Sequence, residues 1–329
     1  MKKIEVSVIC LTYNHEKFVR EMLESVVNQV ADFDYEVIVH DDCSTDMTPE
    51  IVLEYEHRYP DKVKAIYQSE NQYSKGVDII KTFIYPIVRG RYVAFCEGDD
   101  YWSDPYKLQQ QFQAMEKHTD CTFCVHKTKK ISQNGEELDG EFPPVELLEG
   151  VIDREDYIEL ELKKTSWLFQ TSSYFFRKTV VGEFLNSNYR KIYPMGDLPM
   201  VLTGLITGNC YYIKQYMSCY RISEQSAIGN LTSDIRKGII FSERTIKGHE
   251  AYNIYSGGIY DEYLNYAIKC QKVQILKQSG RYSEILNKEY RSVFRNLNIK
   301  NKGLILLGTV SPTLANRVFK LIRMRGRCK

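Results

Sequence analysis

No apolar run in this chain reaches the roughly 18 residues that a helix needs to cross a bilayer, which excludes a membrane-spanning helix. The opening Met1-Lys2-Lys3-Ile4-Glu5-Val6 lacks the apolar core of a secretory signal and enters a strand pattern at once, so a cytoplasmic protein is expected. Neither GxGxxG nor GxxxxGK follows any strand-like run, which removes the dinucleotide fold and the P-loop. Nine cysteines, an odd number at irregular spacing, fit free thiols in a reducing compartment better than a disulfide framework. Cys121, Cys124 and His126 have no second Cys/His pair to complete a zinc site, and "CTFCVH" has the aromatic and β-branched content of a buried strand. Acidic residues are missing after Glu289: that tail carries +10, leaving −9 for residues 1–289 behind a net charge of only +1. No nucleic-acid-binding motif accompanies the basic end, so no nucleic-acid partner is expected.

What is present describes an ordinary globular chain. Its 329 residues, 43% apolar and 26% charged, suffice for one large domain with an appendage, or for two domains. The first half alternates. "VSVICLTYN" (6–14) reads as a strand and "HEKFVREMLESVVNQV" (15–30) as an amphipathic helix with Phe18, Met22, Val26 and Val30 on its apolar stripe. "YEVIVHDD" (35–42) is a second strand, and "TPEIVLEYEHRY" (48–59) a helix with Thr48 as N-cap and Pro49 in its first turn. "KVKAIYQS" (62–69) is a third strand, "VDIIKTFIYPIV" (77–88) a helix, and "RYVAFCEGDD" (91–100) a fourth strand. Such alternation predicts an α/β fold, a mainly parallel sheet sandwiched by helices.

Ligands of such sheets bind at the carboxyl ends of the strands. Those ends are polar and acidic here: Thr12-Tyr13-Asn14, Asp41-Asp42-Cys43-Ser44, and Glu97-Gly98-Asp99-Asp100. A plain acidic turn, with Asp100 or Ser103 capping a helix opened by Pro105, would account for the last of these. Three packed carboxylates repel one another, however, unless a positive charge lies between them. An acidic cleft without a glycine-rich loop would bind a diphosphate through a divalent cation.

The ordered segments "VSVICLTYNHEKFVREMLESVVNQ", "YEVIVHDDCSTDMT" and "RYVAFCEGDDYWSDPYKLQQQ" resemble the family 2 nucleotide-sugar glycosyltransferases of the GT-A fold, over roughly residues 4–225. The resemblance implies an inverting transfer from a nucleotide-diphosphate sugar, UDP-linked by expectation, to a hydroxyl of a glycan or lipid-linked oligosaccharide acceptor, in the setting of bacterial surface-polysaccharide synthesis. It implies that Thr12, Tyr13 and Asn14 cradle the base and that Asp41 and Asp42 contact uracil or ribose. Glu97, Asp99 and Asp100 fall at the family's DxD position, which meets ribose and a Mn²⁺ or Mg²⁺ ion. The leading carboxylate is Glu where Asp is commoner, and Asp99 and Asp100 are the favoured metal ligands of the three. "TSSYFFRK" (171–178) looks like the strand under the acceptor, with Ser172, Ser173, Trp102 and Trp167 as acceptor-side candidates, although an aromatic is more often a core residue. "YPMGDLPMVLTGLITGNCYYI" (193–213) resembles the segment that supplies the base, Asp197, and an N-cap role there is the plainer alternative. "YRISEQSA" (220–227) resembles the closing loop, in which Arg221 would meet phosphate and Ser223 stands where many relatives have His.

Beyond residue 226 the resemblance fades. Residues 226–329 are expected to form an α-helical appendage to the 1–225 domain, with Gly280 as a C-cap between two helical stretches. Its end, "LANRVFKLIRMRGRCK" (314–329), sets Leu314, Val318, Leu321 and Ile322 in one stripe flanked by Arg317, Lys320 and Arg323, a pattern compatible with an anionic membrane surface. Two rival readings are weighed. A metal-dependent nucleotidyltransferase would show a glycine-rich basic loop after the first strand, where "LTYNHEKF" stands instead; a catalytically inactive glycan-binding or scaffold protein would have no need of Asp197 and the metal carboxylates together.

Overall fold

Apolar residues on both faces of the early strands demand cover on both sides, and the sheet is built accordingly. The structure is a computed structural model that describes residues 3–164, 167–222 and 234–325, apart from the side chains of residues 164 and 320–325. Strands β1 (Ile4–Thr12), β2 (Asp34–Asp41), β3 (Val63–Tyr67) and β4 (Tyr92–Phe95) are parallel, in the spatial order β3-β2-β1-β4. The order then continues through β9 (Phe175–Arg177), antiparallel to its neighbours, to β6 (Cys121–Ser132), β10 (Asn209–Ile222) and β5 (Tyr101–Trp102). β6 and β10 run parallel, and β7 (Glu137–Phe142) and β8 (Gly150–Ile152) extend them antiparallel.

Helices α1 (Val19–Val27), α2 (Thr48–Arg58) and α3 (Lys107–Lys117) bury Met22, Val26, Val52, Tyr55, Leu108 and Met115 against Val8, Cys10, Val37 and Ala94 of the sheet. On the other face Phe95, Phe123 and Phe176 pack together. This is the α/β, GT-A arrangement expected. "CTFCVH" lies buried in β6.

Three local expectations are corrected. The buried stripe of α1 is Val19, Met22, Leu23, Val26 and Val27, whereas Val30 lies past the helix end and is 50% exposed. Thr48 is the first residue of α2 and Met47 holds the cap position with no side-chain cap bond, while Asp46 accepts the Thr48 amide at 3.0 Å. Residues 77–88 form no regular α-helix. They make a wide turn, Ile80–Ile84, and a tight one, Tyr85–Ile87, because Pro86 has no amide to continue the ladder.

The chain divides into two compact units: residues 1–157, 167–187 and 200–222, and residues 158–166, 188–199 and 223–329. The first holds the sheet, with α4 (Arg154–Glu159) starting at its boundary and α5 (Lys178–Asn186) inside it; the division passes through α6 (Asp197–Thr207). In the second, α7 (Ile235–Tyr255) packs along α8 (Asp261–Gln278). Gly280, at φ +71°, ends α8: its amide and that of Arg281 return to the carbonyls of Lys277 and Leu276. After α9 (Arg291–Asn296) come α10 (Ile299–Val310) and α11 (Pro312–Arg325). Ala315 is buried and Val318 and Phe319 pack against Val273, Leu276 and Leu304, so part of the expected tail stripe faces protein; Leu314 is 48% exposed. Leu321 and Ile322 lie outside the described side chains.

Candidate active site

β1 and β2 end in register, Thr12 beside Asp41, so their polar exits meet. The Thr12 hydroxyl donates to Asp41 Oδ1 at 3.2 Å, and Asp41 also accepts the amide and hydroxyl of Ser44 at 3.0 and 2.5 Å. Asn14, at φ +56°, is held by its amide on Ser44 Oγ and its Oδ1 on the Thr45 amide. Asp42 is buried and accepts the amides of Gln72 and Tyr73 at 2.8 and 3.0 Å, anchoring the turn after β3. The second-strand carboxylates thus brace the loops of this lobe. Tyr13 stands 45% exposed at its rim.

Beside this lobe, β4 leads into Glu97-Gly98-Asp99-Asp100. The Gly98 amide donates to Leu11 O at 2.9 Å, and a Cβ on Gly98 would lie 2.4 Å from His15 Nδ1 and 2.8 Å from Thr12 Cγ2. Only glycine lets the carboxylate turn sit this close to β1. Asp100 is 1% exposed; its Oδ1 accepts the Arg221 amide at 2.9 Å and its buried Oδ2 accepts nothing. Burial, followed by the charges of Asp99 and Glu97, pushes the Asp100 carboxyl well above the usual carboxylate range. The Asp99 side chain makes neither hydrogen bond nor ion pair with any described residue. The start of α3 is held by Asp104, which accepts the Tyr106 amide at 2.7 Å, so neither Asp100 nor Ser103 serves as its cap.

These unpaired carboxylate oxygens suit a hard divalent cation. Among the described residues no three His, Cys, Asp or Glu side chains form a closed metal cage. A cation here would therefore take its remaining ligands from water and a bound diphosphate, as Mg²⁺ commonly does.

Arg221, at the end of β10, is drawn inward. Its Nε donates to Asp99 O at 2.9 Å, its Nη1 to the carbonyls of Ser132 and Gln133, and its Nη2 pairs with Glu21 at 2.5 Å. The expected approach to phosphate is corrected to that extent: every guanidinium nitrogen already has a protein partner. Ser223 and the rest of the closing loop lie outside the described residues.

The acceptor-side candidates separate. Trp102 is 4% exposed, donates its indole N–H to Ser172 O and meets the Lys107 ammonium 4.0 Å from its ring centre, so it packs the interior and offers no open face for a sugar. Burial pushes Lys107 down to about 7. Ser172 and Ser173 are fully buried and bonded to Gln170, with Ser172 also on Ser218, which corrects their direct contact with an acceptor for the same reason. Trp167 is half-buried, in a cluster with Phe142 and Tyr220. Asp197 is the first residue of α6, with Pro199 two positions on, and belongs to the second unit.

The family model described as "Glycosyl transferase family 2" matches residues 7–181, just over half of the chain. An uncharacterised protein of Mycobacterium tuberculosis is 40% identical over 140 residues, 43% of this chain and 39% of that one. TuaG of Bacillus subtilis, named for teichuronic acid biosynthesis, is 33% identical over 41% of this chain and 50% of its own. The chain thus matches half or less of the length of these relatives. Staphylococcus aureus TarS residues 1–349, solved with UDP-GlcNAc, superposes at TM-score 0.60 and 18% identity, over 98% of this chain and 92% of that one. The mannosyltransferase PcManGT of Pyrobaculum calidifontis, solved with GDP-Man and Mn²⁺, does so at TM-score 0.54 and 14% identity, over 96% and 87%.

Proposed function

Because the chain belongs to glycosyl transferase family 2, we propose that this glycosyltransferase moves a sugar from a UDP-linked donor to a hydroxyl of a glycan or lipid-linked acceptor of a bacterial surface polymer, with inversion at the anomeric carbon. The observation that carries the reading is the pair Asp99 and Asp100, whose unpaired oxygens stand beside the lobe made by Thr12, Asn14, Asp41 and Asp42. UDP-GlcNAc in TarS supports uridine as the nucleotide, and Mn²⁺ in PcManGT supports a metal. The name of TuaG supports a surface polysaccharide as the product.

In this reading Tyr13 and Asn14 border the base, and Asp99 and Asp100 hold Mn²⁺ or Mg²⁺, whose charge would offset that growing on the leaving diphosphate. Asp41 and Asp42 act by fixing the loops around the nucleotide. Inversion needs a base that takes the acceptor proton on the side of the sugar away from the diphosphate, which no metal carboxylate can do. Asp197 is assigned that task. Its carboxylate stands in the first turn of α6. Trp167 is the aromatic left for the acceptor. A working place at the inner, cytoplasmic face of a membrane, held by the basic tail, belongs to the same proposal.

A thermal-shift panel of UDP, GDP, CDP and dTDP with Mn²⁺ or EDTA tests the donor side, since a ligand stabilises by mass action. UDP with Mn²⁺ should give the largest rise in Tm, and a larger rise with GDP would overturn the uridine assignment. Asp197→Asn, still a competent cap, should keep the UDP shift and cut turnover roughly 10²–10⁴-fold. Normal turnover would move the base elsewhere.

A further inference from the structure

We propose that Glu21 is a positioning residue for the metal-diphosphate site and that it acts through Arg221. The proposal rests on the assignment of Asp99 and Asp100 to that site. Arg221 grips the carboxylate turn at two points, its amide on Asp100 Oδ1 and its Nε on Asp99 O, both at 2.9 Å. One grip aims the Asp100 side chain and the other fixes the main chain from which the Asp99 carboxylate projects. The Arg221 side chain is 4% exposed, which is costly for its charge unless it is paired. Its only carboxylate partner among the described residues is Glu21, in the first turn of α1, 2.5 Å from Nη2. Phe18, just before the helix, lies beneath the guanidinium, 4.7 Å from ring centre to Cζ.

The other hydrogen bonds of the guanidinium among the described residues go to carbonyls, Ser132 O and Gln133 O at 3.3 and 3.2 Å, and the Tyr101 ring lies 5.9 Å from its Cζ. Carbonyls orient an arginine but do not balance its charge. Glu21 does both. Removing its charge leaves the guanidinium with no carboxylate hydrogen-bonded to it among the described residues, and the least costly relief is for the Arg221 side chain to swing toward water, releasing Asp99 O. The carboxylate pair then loses its fixed spacing while both carboxylates remain in the chain. Glu21 touches neither carboxylate, so its effect on metal binding is indirect.

The test is a titration of Mn²⁺ against protein with saturating UDP, free Mn²⁺ being read by electron paramagnetic resonance, with no turnover involved. Glu21→Gln should weaken Mn²⁺·UDP binding about tenfold, the lower end for loss of a residue that orients a metal ligand. Arg221→Lys, which keeps the charge but loses the planar fork, should weaken it by a similar factor. The double variant should be little worse than either single one, because the two side chains act as a unit. Glu21→Asp should recover part of the loss. The urea midpoint of the metal-free Glu21→Gln protein reads the cost of the unpaired guanidinium separately from binding, and a purely structural role would move the midpoint and spare the binding. Asp99→Asn is the reference. If it abolishes Mn²⁺·UDP binding while Glu21→Gln binds as the unaltered chain does, the positioning role is wrong and the site stands. If Asp99→Asn binds normally, the site assignment falls and the role of Glu21 falls with it.

Discussion

At Asp100 one carboxylate oxygen accepts the Arg221 amide, while the other is buried and accepts nothing. Glu97 and Asp99 add negative charge nearby. A neutral amide of the same shape keeps the Arg221 bond and removes both the buried charge and the repulsion. Asp100→Asn should therefore stabilise the metal-free protein by about 1 kcal/mol or more, as relief of a strained functional site does, and abolish the Mn²⁺-dependent part of the UDP thermal shift. Urea unfolding in EDTA checks the first part, and a less stable Asn variant would refute it. Gly98→Ala acts in the opposite sense. Its Cβ would enter a space already held by His15 Nδ1, Thr12 Cγ2 and Leu11 O, at a cost of roughly 1–3 kcal/mol, and it should displace the turn enough to weaken Mn²⁺·UDP binding. The carboxylates could be read from the sequence because they are contiguous and follow a strand. The Glu21 pairing could not, since its partner stands 200 positions away and no local pattern joins them. Nor could the burial of Trp102, Ser172 and Ser173, which depends on what β10 and Lys107 lay against them.

At the scale of elements, the parallel strands and their helices were legible because each carries its own period. Residues 77–88 were not, because an apolar run of helical composition gives no sign of how Pro86 will divide it. α7 was covered only by a general expectation of helix after residue 226, its apolar positions following no sharp stripe. What α7 buries is unusual for a surface helix. His249 lies 2% exposed, with its Nδ1 2.9 Å from the Tyr193 hydroxyl, and the adjacent Gly248 meets the Tyr193 ring so closely that a Cβ would come within 2.7 Å of it. Burial pushes His249 down to about 4. An unfolded imidazole titrates near 6.5, so between about pH 6.5 and 4 the unfolded chain takes up a proton that the folded one refuses. Stability is thus retained above pH 6.5 and lost as pH falls through that window. Acidification from pH 7 to 5 should cost about 2 kcal/mol through this one residue, and His249→Gln should remove that part of the pH dependence. Urea unfolding of both proteins at the two pH values measures it, and parallel losses would show that His249 is not the group responsible.

Across the whole molecule the charge is divided by position in the chain, −9 up to Glu289 and +10 after it. No helix among the described residues is long and apolar enough to cross a membrane, so any membrane contact by these helices is made from the surface. The sequence suggests two ways for the tail to make that contact, by inserting an apolar stripe or by presenting cations. Packing favours the second for the described part of the tail. Val318, the centre of the expected stripe, and its neighbour Phe319 lie against the tail's own unit, whereas Arg317 and the basic residues that follow add charge without apolar area. Electrostatics should therefore dominate, at about 1 kcal/mol for each Lys or Arg that comes near an anionic surface. With about half of the six basic residues from Arg317 to Lys329 so placed, the preference for anionic over neutral lipid would be roughly a hundredfold at low salt. Co-sedimentation with phosphatidylglycerol vesicles should be strong at low ionic strength and fade as the Debye length shrinks, while phosphatidylcholine vesicles leave the protein in solution. Removing residues 320–329 should abolish the difference and spare Ala315, Val318 and Phe319, so that the second unit stays folded. Equal capture by neutral vesicles, or capture that persists in high salt, would mean that the helix releases its packed face to insert it, and the electrostatic account would be wrong.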